Sequence, residues 1–220
     1  WRSVDHEMNF LSDKGGAATG GMPMITEGED TSLKVSYDTP VEGVGQIRVG
    51  AEMFRASMDD YWPAVPGHMM MSPLDYVNIN DGERNRTGVW GEWEAKPAPA
   101  WSTLIGLRYE SVEMDTGEVQ PYSWTSMMSM PDAMAAMAFN AADRAREDDN
   151  IDVTAKATWR PSDSVAVEFG AAQKTRSPNL YERYAWGRGS MSSSMTNMTG
   201  DGAGYVGDID LEPEVARSLA

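Results

Sequence analysis

Alternation of apolar and polar residues along several segments restricts the fold of this chain more than any other feature. Such a period of two is typical of β-strands with one apolar face. Weaker examples occur at 33–37, 47–53 and 89–93, and we count about eight strands in all. The clearest segments are residues 101–110, 151–160 and 165–171, and the first of them places on one side Trp101, Thr103, Ile105, Leu107 and Tyr109.

The connections between these segments alternate in length. Turn-like stretches at 38–45, 96–100 and 160–164 are short and rich in Pro, Gly, Asp and Ser. The intervening stretches are long, at about 11–30, 58–85, 111–149 and 174–212. Such loops are uncommon in compact soluble domains, whereas outer-membrane β-barrels combine short periplasmic turns with long extracellular loops. The sequence therefore predicts an all-β, antiparallel transmembrane barrel. Because neither end resembles a closing strand and the loops are too long for the smallest barrels, we expect a piece of a larger one.

The aromatic residues fit the two interfaces of a membrane. Tyr37, Trp101 and Trp159 lie beside short turns on the apolar face, and Tyr109 lies at the other end of its strand. Eight residues span roughly 20 Å vertically at a barrel's tilt, close to the apolar band between two aromatic girdles. We therefore predict that Tyr37, Trp101 and Trp159 lie at one level on the outer face.

Composition excludes several classes of function. The net charge of −16 argues against nucleic acid as a partner. The absence of cysteine excludes disulfides and thiolate metal sites. No arrangement of a nucleophile and a base is visible, so we expect no enzymatic activity and no cofactor. Because the chain begins at Trp1, we expect it to be an internal piece of a longer protein, with residues 1–220 all belonging to the barrel.

Methionine is the residue type that suggests a ligand. Most of the 17 methionines lie in polar stretches, and both histidines of the chain are within two residues of a methionine. Thioether sulfur is a soft ligand that selects copper(I). His6 and Met8 are two residues apart, so in a strand they share one face about 6.6 Å apart. Further candidate metal ligands are His68, Met69, Met70, Met71, Met191, Met195 and Met198.

Each candidate has a structural alternative. His6 and Met8 also fit an apolar stripe from Val4 to Phe10, and residues 68–71 also fit a packed loop tip, while Met191, Met195 and Met198 have no apolar neighbours in sequence. Helical spacing after Pro131 predicts a loop helix that packs through Met130, Met134 and Met137. The acidic residues Asp201, Asp208, Asp210 and Glu212 lack the glycine of an EF-hand, and we interpret them as solvated.

Two motifs carry a family resemblance. The run from Thr175 to Tyr184 (TRSPNLYERY) resembles the Arg-x-Pro-x-Leu-x-Glu-x-Tyr pattern of TonB-dependent outer-membrane receptors, and the run from Gly207 to Glu214 (GDIDLEPE) resembles the end of the loop that this pattern opens. Asp208 and Ile209 depart from the usual Asn and Pro. The resemblance implies part of a barrel of about 22 strands in the outer-membrane lipid of a Gram-negative cell. It also implies a plug domain, absent from this chain, through which the TonB complex supplies energy.

A narrower resemblance points to the copper receptors of this family. It lies in Tyr184–Gly187, Gly189–Met195 and Gly200–Gly207, and His6-Glu7-Met8 matches a barrel His-x-Met pair that faces sulfur ligands of the plug. The resemblance implies a copper ion as the transported ligand. One alternative is a receptor of this kind for an iron-siderophore or another organic ligand, with Trp90, Trp124 and Trp186 at its site. The other is a soluble periplasmic copper-binding β protein.

Overall fold

The computed structural model describes residues 1–8, 23–196 and 204–220. In these ranges eight strands form one antiparallel sheet, in which each strand pairs with the next along the chain. The predicted all-β class and strand count are confirmed. The strands are β1 (Arg2–Met8), β2 (Met24–Val41), β3 (Gly45–Trp62), β4 (Tyr76–Ala98), β5 (Trp101–Asp115), β6 (Arg146–Ser162), β7 (Val165–Arg176) and β8 (Glu214–Leu219).

The helices of the described ranges all lie in connections. They are a 3-10 turn (Met127–Ser129), α1 (Met130–Ala141), α2 (Leu180–Tyr184) and α3 (Ser190–Met195). None of these helices is long and apolar enough to cross a membrane.

Short turns and long loops lie at opposite ends of the strands, as predicted. The turns are residues 42–44, 99–100 and 163–164. The predicted bounds of the loops at 58–85 and 111–149 were too wide, since the structure has connections only at 63–75 and 116–145. Strands continue past the alternating segments, and β4 has 23 residues. At about 3.3 Å per residue β4 runs roughly 75 Å, far more than the apolar band of about 25 Å in an outer-membrane barrel requires.

The two faces of the sheet differ in chemistry. Directly paired residues of an antiparallel ladder project to the same side, and Val89 pairs with Tyr109, which pairs with Ile151. This apolar face stays uncovered and includes exposed Leu33, Val35, Val89, Ile105, Leu107, Val153 and Phe169. On the other, polar face Arg108 pairs with Glu52 at 2.6 Å, and Arg48 pairs with Glu92 at 2.9 Å. An uncovered apolar face opposite a charged one is the pattern of a membrane barrel wall.

The predicted girdle residues lie on the apolar face. Tyr37 pairs with Val49, and Trp101 pairs with Trp159. The two indoles stack with their ring centres 6.0 Å apart. All three aromatic residues lie within a few positions of a short turn, as an interfacial belt requires.

The buried core lies under the long loops and not against the middle of the sheet. The ring of Tyr76 stacks between the rings of Trp62 and Trp186, with ring centres 4.3 Å and 4.7 Å apart, respectively. The remaining core side chains come from the loops and from the strand ends beside them, among them Met71, Ile79, Val112, Met114, Val119, Tyr122, Phe139, Leu180 and Tyr184. We call the described parts of 63–75, 116–145 and 177–213 the loop cap. Because this core leaves the apolar face bare, it does not suit a soluble sandwich.

Helix α1 begins where Pro131 predicted, but the prediction of its packing face was wrong. Met134 is 65% exposed, and Met130 and Met137 are exposed as well. The buried residues of the helix are Asp132, Ala133, Ala136 and Phe139. The small alanine side chains of the helix face the buried core of the loop cap, and the methionine stripe lies on the exposed side.

Candidate metal site

His6 lies on the polar face of the sheet. It pairs with Thr26 of β2, and Met8 pairs with Met24. Thr26 in turn pairs with Asp60 of β3, so the row continues across the polar face and not across the face that carries Leu33 and Val35. The imidazole of His6 is exposed, whereas the side chain of Met8 lies outside the described part of the structure. The register therefore does not support the alternative in which this stripe faces lipid.

The polar side chains next to His6 on this face form hydrogen bonds with one another. Thr26 donates its hydroxyl to Oδ1 of Asp60 at 3.2 Å, and Asn78 donates its amide to Oδ2 at 2.6 Å. Asp60 is almost fully buried. Both of its carboxylate oxygens therefore accept a hydrogen bond from a neighbouring side chain.

Residues 68–71 do not present their side chains together. Nδ1 of His68 accepts hydrogen bonds from the backbone N–H groups of Met70 and Met71, each at 3.2 Å. Met71 is buried in the core at 3% exposure, whereas Met69 is 78% exposed. Met71 therefore serves packing, whereas Met69 is exposed and His68 and Met70 are half-buried.

The second methionine group also lies partly against the core. Met191 and Met195 are one turn apart on α3 and pack, half-buried, against the core cluster. Met198 lies outside the described residues. This placement favours the packing alternative for Met191 and Met195, which their polar sequence neighbours did not indicate.

The acidic residues Asp208, Asp210 and Glu212 of the last long loop are exposed to solvent. Asp210 accepts a hydrogen bond from Nη2 of Arg146 at 2.6 Å, and Oδ1 of Asp208 accepts the N–H of Asp210 at 2.9 Å. Asp201 lies outside the described residues. In the ranges that the structure covers, no group of three or more His, Asp or Glu side chains could hold a metal ion. A site built from carboxylates is therefore not what this part of the chain offers.

The loop cap is fastened by a buried ion pair that sequence reasoning missed. Nη2 of Arg183 donates to both carboxylate oxygens of Asp148, at 2.8 and 2.9 Å, and to the carbonyl oxygen of Leu211 at 2.9 Å. The Arg183 and Asp148 side chains are only 2% and 7% exposed. The signal was present in sequence, since this arginine belongs to the TRSPNLYERY motif, but its distant partner in β6 could not be read from spacing.

Two further polar contacts hold the helices of the cap. Asp132 of α1 accepts the backbone N–H of Arg188 at 2.9 Å, the N–H of Gly189 at 2.7 Å and the hydroxyl of Ser192 at 2.8 Å. Arg176 hydrogen-bonds Glu182 at the start of α2 and thereby lowers the pKa of that carboxyl, although partial burial opposes the shift. These contacts fix α3 to α1, and α2 to the end of β7.

The three tryptophans considered for an organic ligand do not share a site. Trp186 is buried and donates its indole N–H to the carbonyl oxygen of Val77 at 3.1 Å, and Trp124 packs against the same core. Trp90 lies on the polar face of β4, under the ammonium of Lys34 at 5.3 Å. Two of the three are therefore committed to packing.

Residues 6–219 match the model of the TonB dependent receptor-like β-barrel family. The chain therefore belongs to the TonB-dependent receptors, as barrel wall, and the polar face described above is the lumen side of an outer-membrane barrel. No curated protein and no solved structure matches the chain.

Proposed function

We propose that this chain is part of an outer-membrane, TonB-dependent receptor for copper uptake, and that His6 and Met8 bind the ion. Family membership supports the receptor function and the outer-membrane location. The plug domain and the contact with the TonB complex are expected outside residues 1–220. Copper is the specific part of the proposal.

The observation that carries the copper proposal is the position of His6. It is exposed on the lumen side, beside a polar row, and Met8 follows two positions later in the same strand. An ion crossing the receptor passes along this side of the wall. Imidazole and thioether together suit copper better than magnesium or calcium, which prefer oxygen.

A double substitution in the full-length receptor tests this assignment. We expect His6→Ala with Met8→Ala to lower the copper bound per receptor sharply, as measured by mass spectrometry of the metal content. Asp5→Ala with Glu7→Ala is a matched control, because these residues alternate to the opposite face of the same strand and should leave copper unchanged. Unchanged copper content in the His6/Met8 variant, with the fold intact, would refute the site.

A weaker capture step at the loops is a separate part of the proposal. Met69 is the exposed member of its cluster, so Met69→Ser should slow copper loading while the tight site still fills. Deleting residues 69–71 would be a poor test, because it also removes Met71 from the core. The rate of loading, measured against time at low copper, separates capture from final binding.

A further inference from the structure

We infer that Met24 is a third ligand of the copper site, on the same strand pair as His6 and Met8. This inference rests on the proposed function and makes it more specific. Met8 and Met24 are separated by residues 9–23 in sequence, yet the antiparallel register of β1 and β2 pairs them directly. The barrel wall thus places two methionine positions side by side.

The spacing suits a shared ion. Directly opposite residues of an antiparallel pair have Cβ atoms about 4.5–5.5 Å apart, and diagonal neighbours about 7 Å. Met24 is opposite Met8 and diagonal to His6, because His6 pairs with Thr26. Three rotatable bonds let a methionine sulfur adjust over such distances. One histidine and two methionine positions are therefore neighbours on the lumen side of the wall.

The surroundings favour a soft, singly charged ion. Asp60, which pairs with Thr26 in the row of His6, accepts hydrogen bonds from Thr26 and Asn78 at its two carboxylate oxygens. Imidazole nitrogen and thioether sulfur are not the oxygen ligands that a hard cation prefers. A nitrogen and two thioethers suit copper(I) or silver(I).

Met24 also has a packing role that the test must separate from metal binding. It is half-buried against the core cluster that includes Trp62. Met24→Leu keeps most of the packing volume and removes the sulfur. Met58→Leu is the matched control. Met58, in β3, faces the same side of the sheet as Met24 and is half-buried against the same cluster. It pairs with Gly28, which is four residues along β2 from Met24, so it lies away from the proposed site.

The experiment measures copper(I) affinity and sulfur coordination in the full-length receptor. Competition with a copper(I) chelator gives the affinity, and X-ray absorption at the copper edge counts sulfur neighbours. Loss of supporting groups around a metal typically costs 10–100-fold in affinity, so we expect Met24→Leu to weaken binding by at least about tenfold. The sulfur count should fall by one, while Met58→Leu changes neither quantity.

The outcomes distinguish this inference from the proposed function. If Met24→Leu leaves affinity and sulfur count unchanged while the His6/Met8 variant loses copper, Met24 is not a ligand and the proposed function stands. If Met58→Leu weakens binding as much as Met24→Leu, the effect is one of packing and the inference fails. If the His6/Met8 variant still binds copper fully, the proposed function itself is refuted.

Discussion

Replacing Arg183 with methionine should open the loop cap. The substitution keeps a long side chain but leaves the carboxylate of Asp148 buried without its partner. Breaking a buried ion pair from one side typically costs about 3–5 kcal/mol. The hydrogen bond from Arg183 to the carbonyl oxygen of Leu211 is lost as well. Since each 1.4 kcal/mol is a factor of about ten, local opening should become roughly 100- to several thousand-fold more frequent.

Hydrogen exchange in the full-length receptor, followed by mass spectrometry, measures this opening. Peptides from α2 and from residues 204–213 should exchange much faster in Arg183→Met, while the middle of β4 and β5 is unchanged. Arg146 and Asp210 provide the control, since that pair is largely exposed on the aspartate side and such pairs contribute about 0–1 kcal/mol. Asp210→Asn should therefore have little effect.

A double variant checks the physical reason for the effect. Adding Asp148→Asn to Arg183→Met removes the unpaired charge. The double variant should therefore be less destabilised than the single Arg183→Met variant. If the single Arg183→Met variant exchanges like the wild type, the buried pair does not fasten the cap. If the double variant is the worse of the two, uncompensated burial of Asp148 is not the cause.

Three other perturbations test the pH dependence, the cap and the wall. Because Arg176 lowers the pKa of Glu182, the ionised carboxylate stabilises α2 above the ordinary glutamate pKa of about 4.3. This contribution should disappear as the pH falls through the lower, folded value, and Glu182→Gln should abolish the pH dependence of protection of α2 from proteolysis. Ala136→Leu, at a fully buried position, should cost about 1–3 kcal/mol of stability, whereas Met134→Leu, at an exposed position, should change stability by less than about 0.5 kcal/mol. Hydrogen exchange of α1 measures both effects. Equal effects of the two substitutions would contradict the assigned faces of the helix. Ile105→Arg, midway along the apolar face of β5, should cost about 2–4 kcal/mol in unfolding from lipid vesicles, and a neutral result would place Ile105 away from lipid.

The part of the fold that crosses the membrane was predictable, and the part beyond it was not. Lipid favours apolar outward residues, so residues 101–110 and 151–160 alternate and were assigned correctly. Beyond the membrane that requirement ends, and the stretch from Gly82 to Thr87 is polar on both faces although it is paired strand. No sequence period marks such a strand, which is why the loops were predicted too long.

Helix α1 shows a different limit of sequence reasoning. Its position followed from Pro131 and from the spacing of its apolar residues, but spacing fits two faces. The face with Ala133 and Ala136 packs, because close approach of the backbone and the contacts of Asp132 outweigh the larger apolar area of methionine. A hydrophobic stripe alone did not identify the buried side.

Methionine density and methionine position carry different weight for a copper receptor. Within the described residues, several methionines are buried or half-buried in the core or against it, namely Met24, Met58, Met71, Met114, Met191 and Met195. Packing alone therefore accounts for many of them, and for Met24 the register adds a second argument. The exposed methionines include Met69, Met127, Met128, Met130, Met134 and Met137. A count of 17 therefore overstates the supply of metal ligands. The argument for copper rests instead on register, which brings the positions of His6, Met8 and Met24 together on the lumen side. Pairing across residues 9–23 creates this arrangement, and no local motif encodes it.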